Sequence, residues 1–417
     1  MSSAGCTAEG GERNPLEMRT SNRWSIFILS FALVVITLGS GMVIPIFPFY
    51  IERLGGGGRE LGLLIATAAF MEFIFAPLWG SISDRTGRKP ILIIGVVGNA
   101  LSMVLFGLST ELWMLFAARG LAGVLSSATM PTSMAYVGDV TSDEDRGSGM
   151  GILGSAMGLG VILGPGLGGL LATGSLSTPF FIAAGLSICS FFFVALLLPE
   201  SLQGTQLRSD VKIQMVRLGE LWSVLFSPTG GLFFIGFLLS FGLSNFDSIF
   251  GLYALEKFGY GPQRVGTILM VMAIVTTVGK GLLTGPTTRR LGEAAVIKLS
   301  MLAGSIGFVV LLMANTYIAV LLATGFFILS RTLLRPSVLS LTSKQTTLGQ
   351  GVAMGMCNSF MSLGRIAGPL WAGFVFDIDL KYPYISGSAI LFIGFLISLV
   401  WGLRNVNETN KISRIEL

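Results

Sequence analysis

Twelve apolar runs of membrane-spanning length follow one another along the chain, and nothing constrains the fold more. They fall at 24–50, 60–82, 90–108, 112–137, 148–172 and 178–198, then at 229–255, 264–286, 294–314, 316–340, 351–376 and 384–403. A helix needs about 20 predominantly apolar residues to cross a bilayer. Only helices and closed barrels satisfy their backbone groups inside lipid. Runs this long are helical rather than barrel-like, which makes the chain an all-α integral membrane protein with twelve transmembrane helices. The composition agrees: 52% of the 417 residues are hydrophobic and 12% are charged, against about 25% charged in soluble domains. A soluble enzyme, a disordered chain and a nucleic-acid-binding module are all excluded.

The hydrophilic stretches divide the chain. Residues 1–23 are polar and unlike a signal peptide, so they are expected to form a disordered cytoplasmic N-terminal tail, with either Met1 or Met18 as the start. A six-helix half over 24–198 precedes a cytoplasmic linker at 199–228. A second half over 229–403 leads into a C-terminal cytoplasmic tail at 404–417. Lys and Arg set the orientation. With both termini inside, sixteen of the 27 fall in inner tails and loops, five in outer loops, and six within or at the edges of spans. Cytoplasmic loops carry the excess of basic residues, so both termini are expected in the cytoplasm.

The halves are related to each other. GSISDRTGRKP at 80–90 recurs as GPTTRRLGEAA at 285–295, an offset of 205 shared by Pro131 and Pro336. At an offset of 204, Gly151, Ser155, Gly160, Gly164, Pro165 and Gly169 recur as Gly355, Ser359, Gly364, Gly368, Pro369 and Gly373. Parallel-related six-helix halves belong to transporters that hold substrate between the repeats near the midplane. A channel or a membrane-embedded enzyme is not expected to show this duplication, and the short loops hold no catalytic cluster.

Absences narrow the chemistry further. There is no His, so His triads, His metal sites and His proton relays are excluded. Three scattered cysteines offer no metal-ligand spacing, and no P-loop occurs. No catalytic residue, metal or cofactor is expected. A proton-driven machine built from this chain must use carboxylates, and two lie well inside spans: Glu72 in the second and Asp247 in the seventh. Intramembrane ionisable groups are costly and by default functional. A lipid-shielded acid alternates between neutral and charged forms, and the charged form attracts a cation. Arg119, Arg335 and Arg365 are the candidate partners; Arg335, with Arg331 one turn before it, is expected to snorkel toward the inner interface. With 30 Phe and 18 Met, a loosely contacting pocket for amphipathic, preferably cationic molecules is expected. Depth alone nominates Phe47, Phe70, Phe327 and Phe360 for its wall, and Asn245 and Asn358, notable polar side chains along the spans, join them beside Glu72 and Asp247.

Two motifs point to a family. Gly80-Ser-Ile-Ser-Asp84-Arg85-Thr-Gly87-Arg88-Lys89 resembles the cytoplasmic signature loop of the major facilitator superfamily, a conformational latch. Its second copy has Arg289 for Asp84 and Glu293 for Arg88, so one half is expected to carry the full latch. Gly160-x-x-x-Gly164-Pro165-x-x-Gly168-Gly169 is similar to the motif of the proton-antiporting drug exporters in that superfamily. The likeness continues through MVIPIFPFYIERLG, Arg119-Gly-Leu-Ala-Gly123, LSFGLSNFDSIFGLY and Leu334-Arg335-Pro336, toward the twelve-helix multidrug exporters of Gram-positive bacteria. It implies the major facilitator fold with two pseudo-symmetric halves, residence in the cell membrane, and export of hydrophobic or cationic drugs against protons by a monomer embedded in lipid. Export of one metabolite (a sugar, an amino acid or a polyamine) on the same fold is the alternative. Two departures set this chain apart: Thr332 stands where that group has a second acid, and Glu72 where the staphylococcal type has Gln.

Overall fold

In the computed structural model, which describes residues 15–202, 230–346 and 349–400, the apolar runs are helices. The first half comprises α1 (Pro15–Val43), α2 (Phe47–Arg53), α3 (Gly58–Thr86), α4 (Arg88–Leu108), α5 (Leu112–Leu125), α6 (Thr129–Val140), α7 (Arg146–Leu171) and α8 (Thr178–Leu197). The second comprises α9 (Gly230–Phe258), α10 (Pro262–Leu282), α11 (Thr284–Leu291), α12 (Glu293–Met313), α13 (Tyr317–Gln345), α14 (Gln350–Phe376) and α15 (Tyr382–Val400). Helix α1 starts at Pro15, so the last nine residues of the expected N-terminal tail are helical. Residues 1–14, most of the expected linker and the expected C-terminal tail lie outside the described residues.

Eleven segments among the described residues are long and apolar enough to cross a membrane. The twelfth, α14, has 27 residues but carries Arg365, Asn358 and a series of Ser and Gly. It packs chiefly against α9 and α3, so protein rather than lipid covers much of it.

Prolines explain where the runs break. The first run stops at Val43 and resumes at Phe47, because Pro45 and Pro48 bring no backbone N–H to the joint. The fourth is interrupted by a 3-10 turn at Ser126–Ala128, just before Pro131. The second-half counterpart of α3 divides at Leu283, ahead of Pro286. Pro165, by contrast, lies inside a continuous α7.

The halves meet in two equivalent seams, α3 against α14 and α7 against α10. Both seams are tight at the end of the bundle that carries Gly55. A Cβ on Gly58 would come within 2.8 Å of the Gly373 carbonyl, and one on Gly169 within 2.5 Å of the Pro262 carbonyl. One continuous apolar core crosses both halves there, joining Phe47, Phe106 and Phe180 to Phe246, Phe308 and Tyr384. At the opposite end, which carries Gly87, each half keeps its own core: Leu29, Leu92, Tyr136 and Leu153 in the first, Phe233, Ile297, Leu334 and Met361 in the second. The bundle is therefore closed at the Gly55 end and parted at the Gly87 end.

Candidate functional site: a charged cavity between the halves

Parting the halves at one end leaves a cavity of about 470 Å³ between them. It is walled by the joint between α1 and α2 and by α2, α3 and α5 from the first half, and by α9, α10, α13 and α14 from the second. A space this size suits a drug-sized molecule. Six charged side chains line it: Glu72, Asp247, Arg119, Arg331, Arg335 and Arg365.

Both acids are paired. Arg365 donates from Nη2 to Glu72 Oε2 at 3.1 Å, joining α14 to α3 across the two halves. Arg331 donates from Nη1 to Asp247 Oδ1 at 2.5 Å, within the second half. Arg119 places its guanidinium over the Phe47 ring, 4.9 Å from the centroid. Its Nε is buried with no hydrogen-bond partner. Arg335 lines the cavity as well, so it does not snorkel away, and neither does Arg331. Four guanidiniums against two carboxylates make the cavity electropositive. The expected attraction for simple cations is opposed in this state.

The residues nominated for the wall divide. Phe47 and Asn358 line the cavity. Phe327 does not: it is fully buried, packed on Phe246 at 5.0 Å and Phe308 at 4.5 Å. Phe360 is buried against Phe233. Asn245 is fully buried and gives its Nδ2 hydrogen to the Phe241 carbonyl. Phe70 is exposed on α3 outside the cavity wall. Depth along a helix says nothing of azimuth, and azimuth decides which side chains reach the cavity. Thr332 is buried beside Gly279, bonded to its own helix at the Ile328 carbonyl. The position expected to hold a second acid thus faces away from the cavity, and Glu72 supplies the second carboxylate from α3.

The signature loop is built as a charge cluster. Gly87 adopts φ +100°, a conformation that favours glycine, and turns the chain between α3 and α4. Arg88 then reaches back to Asp84 Oδ1 at 2.6 Å and across to Asp139 Oδ2 at 2.8 Å. The Glu200 carboxylate accepts from the Arg88 and Lys89 backbone N–H groups at 2.8 and 3.1 Å, capping the start of α4 where the helix dipole favours an anion. Arg85 lies exposed in the last turn of α3, and a Cβ on Gly80 would stand 4.0 Å from Pro131 Cβ.

The second half repeats one pair of this arrangement with its charges exchanged. Gly292 repeats the turn at φ +78°. Glu293, in the place of Arg88, pairs with Lys344 and accepts from Ser340 Oγ at 3.0 Å. Lys344 lies 205 positions after Asp139, as Glu293 does after Arg88. A basic–acidic pair has become an acidic–basic one at the same two sites. The signal was present in the sequence as that shared offset.

The glycine motif of α7 divides its work. Gly160, Gly164 and Gly168 receive α1: a Cβ on Gly164 would stand 2.7 Å from Gly41 Cα, and Gly160 and Gly168 meet the Leu38 and Met42 backbones. Pro165 and Gly169 face α10, the Pro165 carbonyl meeting Gly266. Asp377, just past the end of α14, closes the other seam, accepting from the Gly58 and Arg59 N–H groups at 2.8 and 3.3 Å and pairing with Arg59 Nε at 3.2 Å.

Known proteins resemble the chain along most of its length. "Multidrug resistance protein 2" of Bacillus subtilis is 32% identical over 381 residues, covering 90% of this chain and 95% of that protein. "Quinolone resistance protein NorA" of Staphylococcus aureus is 28% identical over 376 residues, covering 90% and 96%. Among solved structures, a nucleoside transporter superposes with a TM-score of 0.79 at 15% identity, covering 90% of this chain and 99% of that one. A human organic anion transporter does so with 0.65 at 21%, covering 93% and 100%. The Major Facilitator Superfamily profile matches residues 29–330 and again 232–416. With spanning helices in two like halves around a shared cavity, the chain belongs to the Major Facilitator Superfamily and is a transporter, not an enzyme.

Proposed function

We propose that the protein exports amphipathic drugs from the cell in exchange for protons, by alternating access of the cavity to the two sides of the cell membrane. The Gly87 end is cytoplasmic in this reading, as the basic-residue bias supports, so the described state faces inward. Export is supported by the multidrug and quinolone resistance relatives. The observation that carries the coupling is a pair of carboxylates, Glu72 and Asp247, each held by an arginine in a cavity closed at one end. A proton on either acid releases its arginine, and a charged drug group that approaches the acid competes with that proton. Protons entering from outside and drug leaving from inside then alternate at one site.

The helix faces support the conformational half of the mechanism. An α-helix repeats its azimuth after about 18 residues, five turns. Counting from Gly169 and Pro165, which pack against α10, the same face carries Gly151 and Gly147 at the Gly87 end. Both have open space before them. From Gly373 and Pro369, which pack against α3, the matching positions are Gly355 and Gly351, also open. From Gly62 the matching position on α3 is Gly80. Small-residue faces allow close helix contact, so these unoccupied stretches are the surfaces that meet when the cytoplasmic end closes and the outer seams part.

The test is reconstitution. In proteoliposomes, an imposed pH gradient drives accumulation of a fluorescent drug, and a protonophore abolishes it. Asp247→Asn removes the gradient-driven accumulation while the drug still moves down its own gradient. Normal accumulation by that variant overturns the assignment of the coupling acid, and accumulation indifferent to protonophore overturns the proton coupling.

A further inference from the structure

One departure of the second signature loop has no part in the pairs already described. Arg289 stands in the place of Asp84, and Arg290 follows it where the first copy has Arg85. Both are exposed at the end of α11, and neither has a carboxylate in ion-pair reach among the described residues. A matching departure lies in the other half. Ser142-Asp143-Glu144-Asp145 leads into α7, whereas Gln345-Thr-Thr-Leu-Gly349 leads into α14 without an acid. Asp143, Glu144 and Asp145 are all exposed, and among the described residues only Asp143 is paired, with Arg146 at 3.0 Å.

The packing at the closed end says where these groups go. Gly62 of α3 meets Gly373 of α14, and Gly266 of α10 meets Gly169 of α7, in the same antiparallel register at an offset of 204. Toward the Gly87 end the offset between the halves becomes 205, because α10 and α11 together carry one more residue than α3. The break at Leu283 takes up that residue, which puts Arg289 at the register position of Asp84. Continued along both seams, the register brings Asp84 level with the first turn of α14 and Arg289 level with the first turn of α7 once the parted end closes. A helix N-terminus favours an anion and repels a cation. Asp84 therefore suits its seam as it stands. Arg289 alone would be repelled at the other, and the acids that precede α7 reverse the sign.

We propose that Arg289 and Arg290 close against Glu144 and Asp145 as an electrostatic clasp, formed only in the state whose Gly87 end is shut. The clasp rests on the alternating-access reading and names the charges that hold its second state. It joins the halves across the α7–α10 seam, as Asp377 and Arg59 join them across the α3–α14 seam at the opposite end. Each exposed ion pair is worth up to about fivefold in an equilibrium constant, and the two together up to about twenty-fivefold. Pairs of that strength stabilise the shut state without locking it, as repeated turnover requires.

Distances between spin labels test the clasp in full-length protein in lipid nanodiscs, with alanine for the three native cysteines and labels at Ile94→Cys and Leu299→Cys. These two positions are exposed and equivalent in the two halves. Arg289→Glu with Arg290→Glu is expected to lower the ratio of shut to described state by about five- to twenty-fivefold, and Glu144→Lys with Asp145→Lys to do the same. All four substitutions together restore the ratio, which a purely local role for either pair would not do. Salt separates the signs. At about 1 M, where the screening length is about 3 Å, the shut fraction falls in the unaltered protein and rises in either two-residue reversal. One distance in the unaltered protein under every pH and drug condition overturns alternating access, and the clasp with it. Two distances with no effect of reversal, or with no rescue by the fourfold exchange, overturn the clasp alone. A shift from the arginine reversal that appears only in anionic lipid, without rescue, assigns Arg289 and Arg290 to lipid headgroups and equally overturns it. Arg289→Lys with Arg290→Lys keeps every charge and reads proximity directly. A carbodiimide should join these lysines to Glu144 or Asp145 where the shut state is populated, and absence of that cross-link overturns the clasp.

Discussion

A leucine at position 151 separates the two states of the cycle more cleanly than removal of any charge. In the described state Gly151 has open space before its α-carbon, so Gly151→Leu meets no neighbour there. It also replaces glycine by a better helix former inside α7, a gain of about 0.8–1 kcal/mol that applies to both states. The other state is different. Gly169 lies five turns further along the same face, and a Cβ there would stand 2.5 Å from the Pro262 carbonyl and 3.1 Å from Gln263 Cα. If the seam at the Gly87 end closes as tightly as the one at the Gly55 end, a leucine side chain at 151 forces the helices apart. Overpacking of this kind costs about 1–3 kcal/mol, a shift of about 5- to 150-fold toward the described state. Dye-efflux turnover in proteoliposomes should fall by a comparable factor while thermal stability is kept. The control is Gly185→Leu, an equally open position on α8, which packs on α1 and α4 of its own half. Unaltered turnover in Gly151→Leu, or an equal loss in Gly185→Leu, refutes the closing face.

Three further outcomes follow from the same geometry. Asp377→Asn weakens the cap on α3 and the pair with Arg59; both groups are partly exposed, so the effect is about 1 kcal/mol, and a Leu61→Cys reporter should label faster from the Gly55 end, with unchanged labelling as the contrary result. Glu293→Gln breaks the pair with Lys344 and should lower thermal stability by about 1–3 kcal/mol; the exchange Glu293→Lys with Lys344→Glu should restore most of it, because the first half already works with that polarity, and absence of rescue would assign the loss to local packing. Gly87→Ala combines a positive φ with a Cβ 2.6 Å from Glu200 Oε2, so it should cost about 2–3 kcal/mol, read as a lower unfolding temperature; a neutral result would remove the turn from the latch.

What the sequence made legible was whatever lipid or periodicity enforces locally. Spans follow from apolar length, halves from the repeated offset, and the Gly87 turn from a positive φ that glycine adopts freely. The glycine faces follow from helical spacing. Pairings across the bundle were not legible. Arg365 and Glu72 are 293 positions apart and Arg331 and Asp247 84, and no local pattern says which arginine turns toward which acid. Phe327 and Phe360 were placed at a plausible depth and lie on the wrong side of their helices. Arg335 looked close enough to the interface to snorkel, yet the parted halves give it a cavity to face. The charge-exchanged pair was readable in principle: Asp139 with Lys344 and Arg88 with Glu293 share one offset, but a search for likeness passes over positions that match by opposition.

The two acids are not equivalent, and their pairings say how. Asp247 and Arg331 both belong to the second half, so a proton on Asp247 changes the charge of one half without loosening it from the other. Glu72 and Arg365 span the seam between α3 and α14, the elements whose far ends are clasped by Asp377. Protonating Glu72 therefore removes a bond between the moving bodies, whereas protonating Asp247 alters the binding field within one of them. A ligand or proton shifts a conformational equilibrium only by its differential interaction with the two states. Glu72→Gln, a fixed mimic of the protonated form, should move the balance of inward- and outward-facing states even without drug. Since both partners are about half exposed to the cavity, the shift is about fivefold or less. Asp247→Asn should leave that balance near its original value and act on drug affinity and proton drive. Distance measurements between spin labels on the two halves distinguish the roles: equal shifts from both substitutions would mean that the acids act through one shared field and that the span between halves carries no coupling of its own.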